Sequence, residues 1–293
     1  MGAAQGAARI GYTGRRRGPA SPGAPYDAES VILLLLAAAF YGAAAWLRHR
    51  SARTGAPAWP STVLFEMALL LHALSIWRAV VTPEGFDLSF LHALSLVAWL
   101  TALVAGLSGV LAKLPAVGSV ILPVAAVCAL APLAGGSPHL FPYAGDSLAT
   151  AHIAVALLAY ALFAVAALQA LLLTGLEKRL HRGLAPMEAE GSVPLLTLER
   201  FLFRLVALGF VLLTVTLASG LLFSEQLFGK PVTFTHKNLF SVLGWLAFAV
   251  LLFGRWRYGW RGRRALYWIV GGTALLVLGY LGSKFVAEIL LGR

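Results

Sequence analysis

Four of the chain's seven histidines stand where an ionisable side chain is costly. His72, His92, His152 and His236 fall inside, or at the edge of, long apolar runs, whereas His49 and His181 lie in basic connecting segments. His139 lies in the Gly/Pro-rich stretch GGSPHLFPYAGDS. Histidine titrates near physiological pH, and its neutral ring is the commonest metal ligand and an axial ligand of haem iron. An ionisable residue within a membrane span is by default a functional-site hypothesis. The plainer reading is that each ring makes one interhelical hydrogen bond. For any single ring that reading is at least as good. Four rings in the same half of the membrane are harder to explain that way. A porphyrin would also need apolar walls, which Phe228, Phe234 and neighbouring leucines supply, and cations for its propionates, which Arg78, Lys230 and Lys237 supply.

Other chemistries find less support in the residues. Glu66 and Glu288 are the only carboxylates inside apolar runs, and Glu66 lies six residues before His72. That spacing does not put the two on one helix face, so no proton relay emerges. There is no Gly-rich phosphate loop and no H-E-x-x-H pair. The single cysteine, Cys128, excludes an internal disulfide, and no C-x-x-C-H haem-attachment word occurs.

The elements that must hold these rings are membrane helices. The chain is 59% hydrophobic and 12% charged, with mean hydropathy +0.81. A soluble domain carries about 25% charged residues, so this composition belongs to an integral membrane protein. Eight runs approach the length of about 20 residues that a span requires: 30–48, 62–81, 89–111, 115–134, 148–175, 201–223, 237–254 and 265–289. The fold class is therefore all-α, with eight transmembrane helices. On this reading His92, His152 and His236 share a depth. At 1.5 Å per residue, His72 lies about 10 Å deeper.

The net charge of +11 does not indicate nucleic acid, because the basic residues cluster between apolar runs, as membrane orientation requires. Arg and Lys from Arg48 to Arg53, at Lys113, from Lys178 to Arg204 and from Arg255 to Arg264 all fall on one side, which becomes the cytoplasmic side. Both termini are then outside. Arg9, Arg15, Arg16 and Arg17 oppose this assignment, but they lie in residues 1–29, a Gly/Ala/Pro-rich tail read as disordered or processed. Residues 30–293 form the membrane domain. The largest connection, 176–200, is too short to be a domain, and the repeated word LHALS at 71–75 and 91–95 is explained by chance in a Leu/Ala-rich chain.

Three stretches carry a family resemblance: AHIAVALLAYALFAVAALQALL, with Ala159-Tyr160-Ala161; GWRGRRALYWIVGGTALLVLGYLGSKFV; and SGLLFSEQLFGKPVTFTHKNLFSVLGW. Over about residues 60–289 the chain resembles the cytochrome c assembly family of membrane haem proteins (CcsA, CcmC and HemX relatives), and most nearly its YpjD-type branch. In haem-handling members the third stretch is a tryptophan-rich outer segment ending Trp-Asp-Pro-Lys. Here Glu225, Gly229, Lys237 and Trp245 keep register, while Phe234, Thr235 and His236 stand for Trp, Asp and Pro.

The resemblance implies a bacterial inner-membrane protein that binds haem b non-covalently near its outer face. Its expected role is haem handling or support of cytochrome maturation. The aromatic shelf is smaller than haem–thiol ligation needs, so an enzyme is not expected. His152 carries over from the family's outward-facing histidine. His152 and His236 are the expected axial pair, with His72 and His92 as second choices and Arg78, Lys237 and Phe234 at the rim. For His236 and Lys237 an equal reading is anchorage of a helix end at headgroup level. The expected partners are the lipid bilayer and other cytochrome c biogenesis or membrane transport proteins. The alternative function is a non-haem accessory subunit that stabilises such a partner.

Overall fold

A computed structural model describes residues 27–82, 85–113, 115–135, 140–141, 146–182, 194–222 and 236–290. Most of the expected tail, His139, Phe228, Lys230 and Phe234 lie outside the described residues. The helices are α1 (Ala28–Thr54), α2 (Trp59–Val80), α3 (Phe90–Leu107), α4 (Pro115–Leu130), α5 (Ser147–His181), α6 (Leu195–Leu222), α7 (His236–Tyr258) and α8 (Gly262–Val277). Among the described residues, eight helices are long and apolar enough to cross a membrane, as the sequence requires.

Local chemistry sets the helix ends. Asp27 caps α1, accepting a hydrogen bond from the Ser30 amide at 3.0 Å, and Gly55 ends it in the left-handed region at φ 69°. Ala28 and Glu29, read as tail, belong to this helix. Pro60 sits in the first turn of α2, where its missing N–H costs nothing. The expected third span, 89–111, breaks at Ser108, because Gly109 takes φ 66° and turns the chain before Val110–Lys113 resumes a helical turn. Beyond Val277, α8 continues through wider π-type turns at Leu278–Gly282 and Phe285–Leu290.

The helices pack as two rings of four. In the first, α1 meets α2 and α4, and α3 meets α2 and α4. In the second, α5 meets α6 and α8, and α7 meets α6 and α8. Each ring is built from four consecutive helices packed up and down. The rings meet chiefly along α3 and α5, which run parallel. Lipid offers no hydrophobic drive for helix association, so small residues and polar bonds must hold the helices together. In the second ring Phe163 of α5 stacks on Phe248 of α7, centroids 3.8 Å apart and planes 11° apart. Each ring rests on a glycine: a Cβ on Gly209 of α6 would meet Phe163 at 3.0 Å, and one on Gly272 of α8 would meet Phe248 at 3.0 Å. The first ring repeats the device, with Gly106 of α3 against Phe65 of α2. Interhelical bonds add Trp99 Nε1 to the Leu69 carbonyl at 2.9 Å, Gln169 Nε2 to the Leu198 carbonyl at 2.9 Å and Trp245 Nε1 to Thr214 Oγ1 at 2.9 Å.

One feature was not read from the sequence. A small antiparallel ribbon, β1 (Val81–Thr82), β2 (Gly85–Asp87) and β3 (Leu140–Phe141), ties the α2–α3 connection to the α4–α5 connection. Asp87 pairs with Leu140 and Phe86 with Phe141. The ribbon lies at the histidine-bearing end of the molecule and positions Asp87 just ahead of α3.

Candidate functional site

The four histidines divide between the rings. His72 lies in the interior of the first, fully buried. Its Nε2 is 2.9 Å from Ser95 Oγ of α3, and its ring meets Tyr41 of α1 edge-on at 5.8 Å. Among the described residues neither His72 Nδ1 nor the Tyr41 hydroxyl has a hydrogen-bond partner. This ring joins helices of one bundle, as the plainer reading anticipates.

His92 occupies the first turn of α3 and is mostly buried. Its Nδ1 is 2.6 Å from Ser89 Oγ and 3.2 Å from Asp87 Oδ2. Asp87 is itself buried, and its other oxygen accepts from the Ser89 amide at 3.0 Å. A carboxylate accepts from Nδ1–H, a geometry that favours the tautomer with its proton on Nδ1. A carboxylate behind a histidine is the usual support of a metal-ligating imidazole and sets its ring orientation.

His152 lies in the second turn of α5, half-buried, with Nδ1 2.8 Å from Ser219 Oγ near the end of α6. Gly220 lies beside the imidazole: a Cβ there would stand 3.5 Å from its Cε1, an ordinary contact. Again Nδ1 is engaged, so a metal would be met by Nε2. The parallel packing of α3 and α5 brings His92 and His152 to neighbouring helices at similar depth. His236 is the first residue of α7 and is exposed; its ring makes no hydrogen bond within the described residues.

Lys237 follows on α7, its ammonium 5.2 Å from the centroid of Tyr280 in the π-type part of α8. Tyr280 in turn lies 5.7 Å from Tyr160 of α5. The ammonium is within electrostatic range of His152 and of Lys284. Lys284 donates to the Leu88 carbonyl and pairs with Glu288 at 3.0 Å, and Glu288 accepts from the Phe90 amide at 2.5 Å. Glu288 thus neutralises the exposed amides that start α3. The sequence marks Glu288 as an acid in an apolar run; the structure makes it a cap for a helix almost 200 residues away in the chain.

So the structure gathers His92, His152 and Lys237 around the ends of α3, α5, α7 and α8. It leaves Arg78 and His72 with the first ring: Arg78 pairs with Glu29 of α1 at 2.8 Å, its charge already matched. Asp87, Ser89, Ser219 and Tyr280 were not singled out from the sequence. For Asp87 and Ser89 the signal was the word DLSFLH, a carboxylate and a hydroxyl within five residues of a histidine. For Ser219 and Tyr280 there was none. The donor set fits haem: imidazoles with fixed Nδ1, aromatic walls and a nearby ammonium. Among the described residues no three His, Cys, Asp or Glu side chains cluster as a bare metal ion would require.

Comparison with known proteins gives the family. The model of the family described as Cytochrome C assembly protein matches residues 61–291. The inner membrane protein YpjD of Escherichia coli K12 is 32% identical over 231 residues, covering 76% of this chain and 85% of that protein. The cytochrome c biogenesis protein CcsA of Gloeobacter violaceus is 33% identical over 92 residues, 31% of this chain and 27% of that protein. CcsA of Chlamydomonas reinhardtii is 26% identical over 137 residues, 47% of this chain and 38% of that protein. No solved structure matches.

Proposed function

This chain belongs to the cytochrome C assembly protein family, and from that premise we propose that it is an inner-membrane haem-binding protein that handles haem or supports cytochrome maturation. Haem b is held non-covalently at the histidine-bearing end, which faces outward because the arginine-rich connections lie at the other end. When bound, the haem would supply a redox-active iron, and His152 and His92 would hold it. His92 is better prepared for this than His236, and the observation that carries this is the Asp87 carboxylate behind its Nδ1. Lys237 would meet a propionate. On this reading the residues named here hold and orient haem, and the protein acts as its carrier.

The test is an absorption spectrum of the full chain purified after expression with ample haem. The expected result is a Soret band that is lost in His152→Ala and in His92→Ala and kept in His236→Ala. Loss in His236→Ala with retention in His92→Ala would restore the pair expected from the sequence. A colourless, folded protein would replace the haem reading with that of an accessory subunit, whose histidines only bond helices together.

A further inference from the structure

At the arginine-rich end of the first ring a cavity of about 290 Å³ lies between α1, α2 and α3. It is too large for a single water, which occupies about 30 Å³. Its polar side carries Arg48, Thr62 and Glu66, and its apolar side Leu69, Leu103 and Leu107. The two opposite charges share the cavity without forming an ion pair, and among the described residues Glu66 makes no hydrogen bond. Arg48 is held in place: Nη1 donates to the Leu111 carbonyl at 2.9 Å, while Nε has no partner among the described residues. Its stem lies over Gly118 of α4, where a Cβ would come within 2.9 Å of Cδ. Two unmatched charges inside spans call for a partner.

Depth and opening identify that partner. Arg48 lies six residues from the end of α1 and Glu66 seven from the start of α2. Both are therefore about 10 Å in from the helix ends. Exposed Trp46 and Trp59 flank them, with Arg50 5.5 Å from the Trp46 ring, the pattern of a membrane–water boundary. Glu66 and Leu107 are exposed on the outer surface of the helices, so the cavity opens sideways to lipid.

We propose that this cavity binds a zwitterionic phospholipid with a primary amine, phosphatidylethanolamine, from the leaflet at the arginine-rich end. The phosphate meets the Arg48 guanidinium, whose fork suits phosphate oxygens. The ammonium donates to Glu66, and the acyl chains leave along Leu69, Leu103 and Leu107. A choline headgroup has no N–H to offer Glu66. A headgroup with net negative charge would face the carboxylate.

The experiment is native mass spectrometry of the full-length protein with equimolar phosphatidylethanolamine, phosphatidylcholine and phosphatidylglycerol of identical acyl chains. A separate arm uses water-soluble glycerophosphoethanolamine. The expected result is at least about tenfold preference for phosphatidylethanolamine, abolished in Glu66→Gln, with an unchanged Soret band in that variant. Arg48→Gln should weaken all three lipids; because Arg48 also holds Leu111, Glu66→Gln on the exposed surface decides the matter. Equal retention of ethanolamine and choline lipids, or a preference that survives Glu66→Gln, overturns the proposal. Glycerophosphoethanolamine binding as tightly as the lipid would assign the cavity to a soluble ligand and overturn it likewise.

Discussion

An imidazole is made into an iron ligand largely by what its other nitrogen touches. By that criterion His92 and His152 differ from His236, though all three look alike in the sequence. Asp87→Asn keeps the side chain's shape and removes its charge; it should weaken haem binding about 10- to 100-fold in a titration of the stripped protein. Ser219→Ala should weaken it less, since a hydroxyl supports the ring without charge. The sequence supplied all the histidines but not their order of merit. Asp87 is set in place by a ribbon of very short strands, and no periodic pattern predicts such a ribbon. At the start of α1, Asp27 titrates below the ordinary carboxylate value because its side chain accepts from Ser30. A depressed folded-state value means the cap contributes above the unfolded value and is lost as pH falls through the folded one. Asp27→Ala should therefore speed hydrogen exchange at the Ser30 amide at neutral pH, and the difference from the parent should fade as pH falls through the folded-state value of Asp27.

Helices in this chain are held by glycines as much as by large side chains. A Cβ on Gly244 of α7 would meet Leu276 of α8 at 2.7 Å and the Gly272 carbonyl oxygen at 3.3 Å. Gly244→Leu or Gly272→Leu should cost about 1–3 kcal/mol or more through overpacking, read as a lower melting temperature in detergent. Gly271→Leu, one position along α8 where a Cβ meets nothing, is the matched control. The spans themselves were legible from apolar length alone. Their ends were not: α5 runs to His181 and α6 begins at Leu195, because charged residues continue a helix into water as readily as they end a span. The aromatic seat of Phe163 on Phe248 was also invisible, since facing helices are chosen by packing and not by any one segment.

For the molecule as a whole, the two rings explain why so many polar contacts fall at the ends. At the arginine-rich end Glu199 of α6 accepts from Arg255 of α7 at 2.8 Å and lies 3.4 Å from Arg261, while Arg255 also donates to the Trp260 carbonyl at 3.2 Å. This network closes the second ring. Glu199→Ala should leave Arg255 half-buried without its anion and lower thermal stability by more than an exposed ion pair's fraction of a kcal/mol. The proposed orientation puts that end in the cytoplasm; a C-terminal alkaline phosphatase fusion should then be active, and inactive if the orientation is reversed.

The clamp on α3 comes from Lys284 and Glu288, almost 200 residues downstream in the chain. Until that segment inserts, the start of the His92 helix lacks its cap. A chain cut short before α8 should therefore leave this helix frayed at its outset, read as faster hydrogen exchange at the Phe90 amide, so the first ring reaches its final shape only after the second has been built.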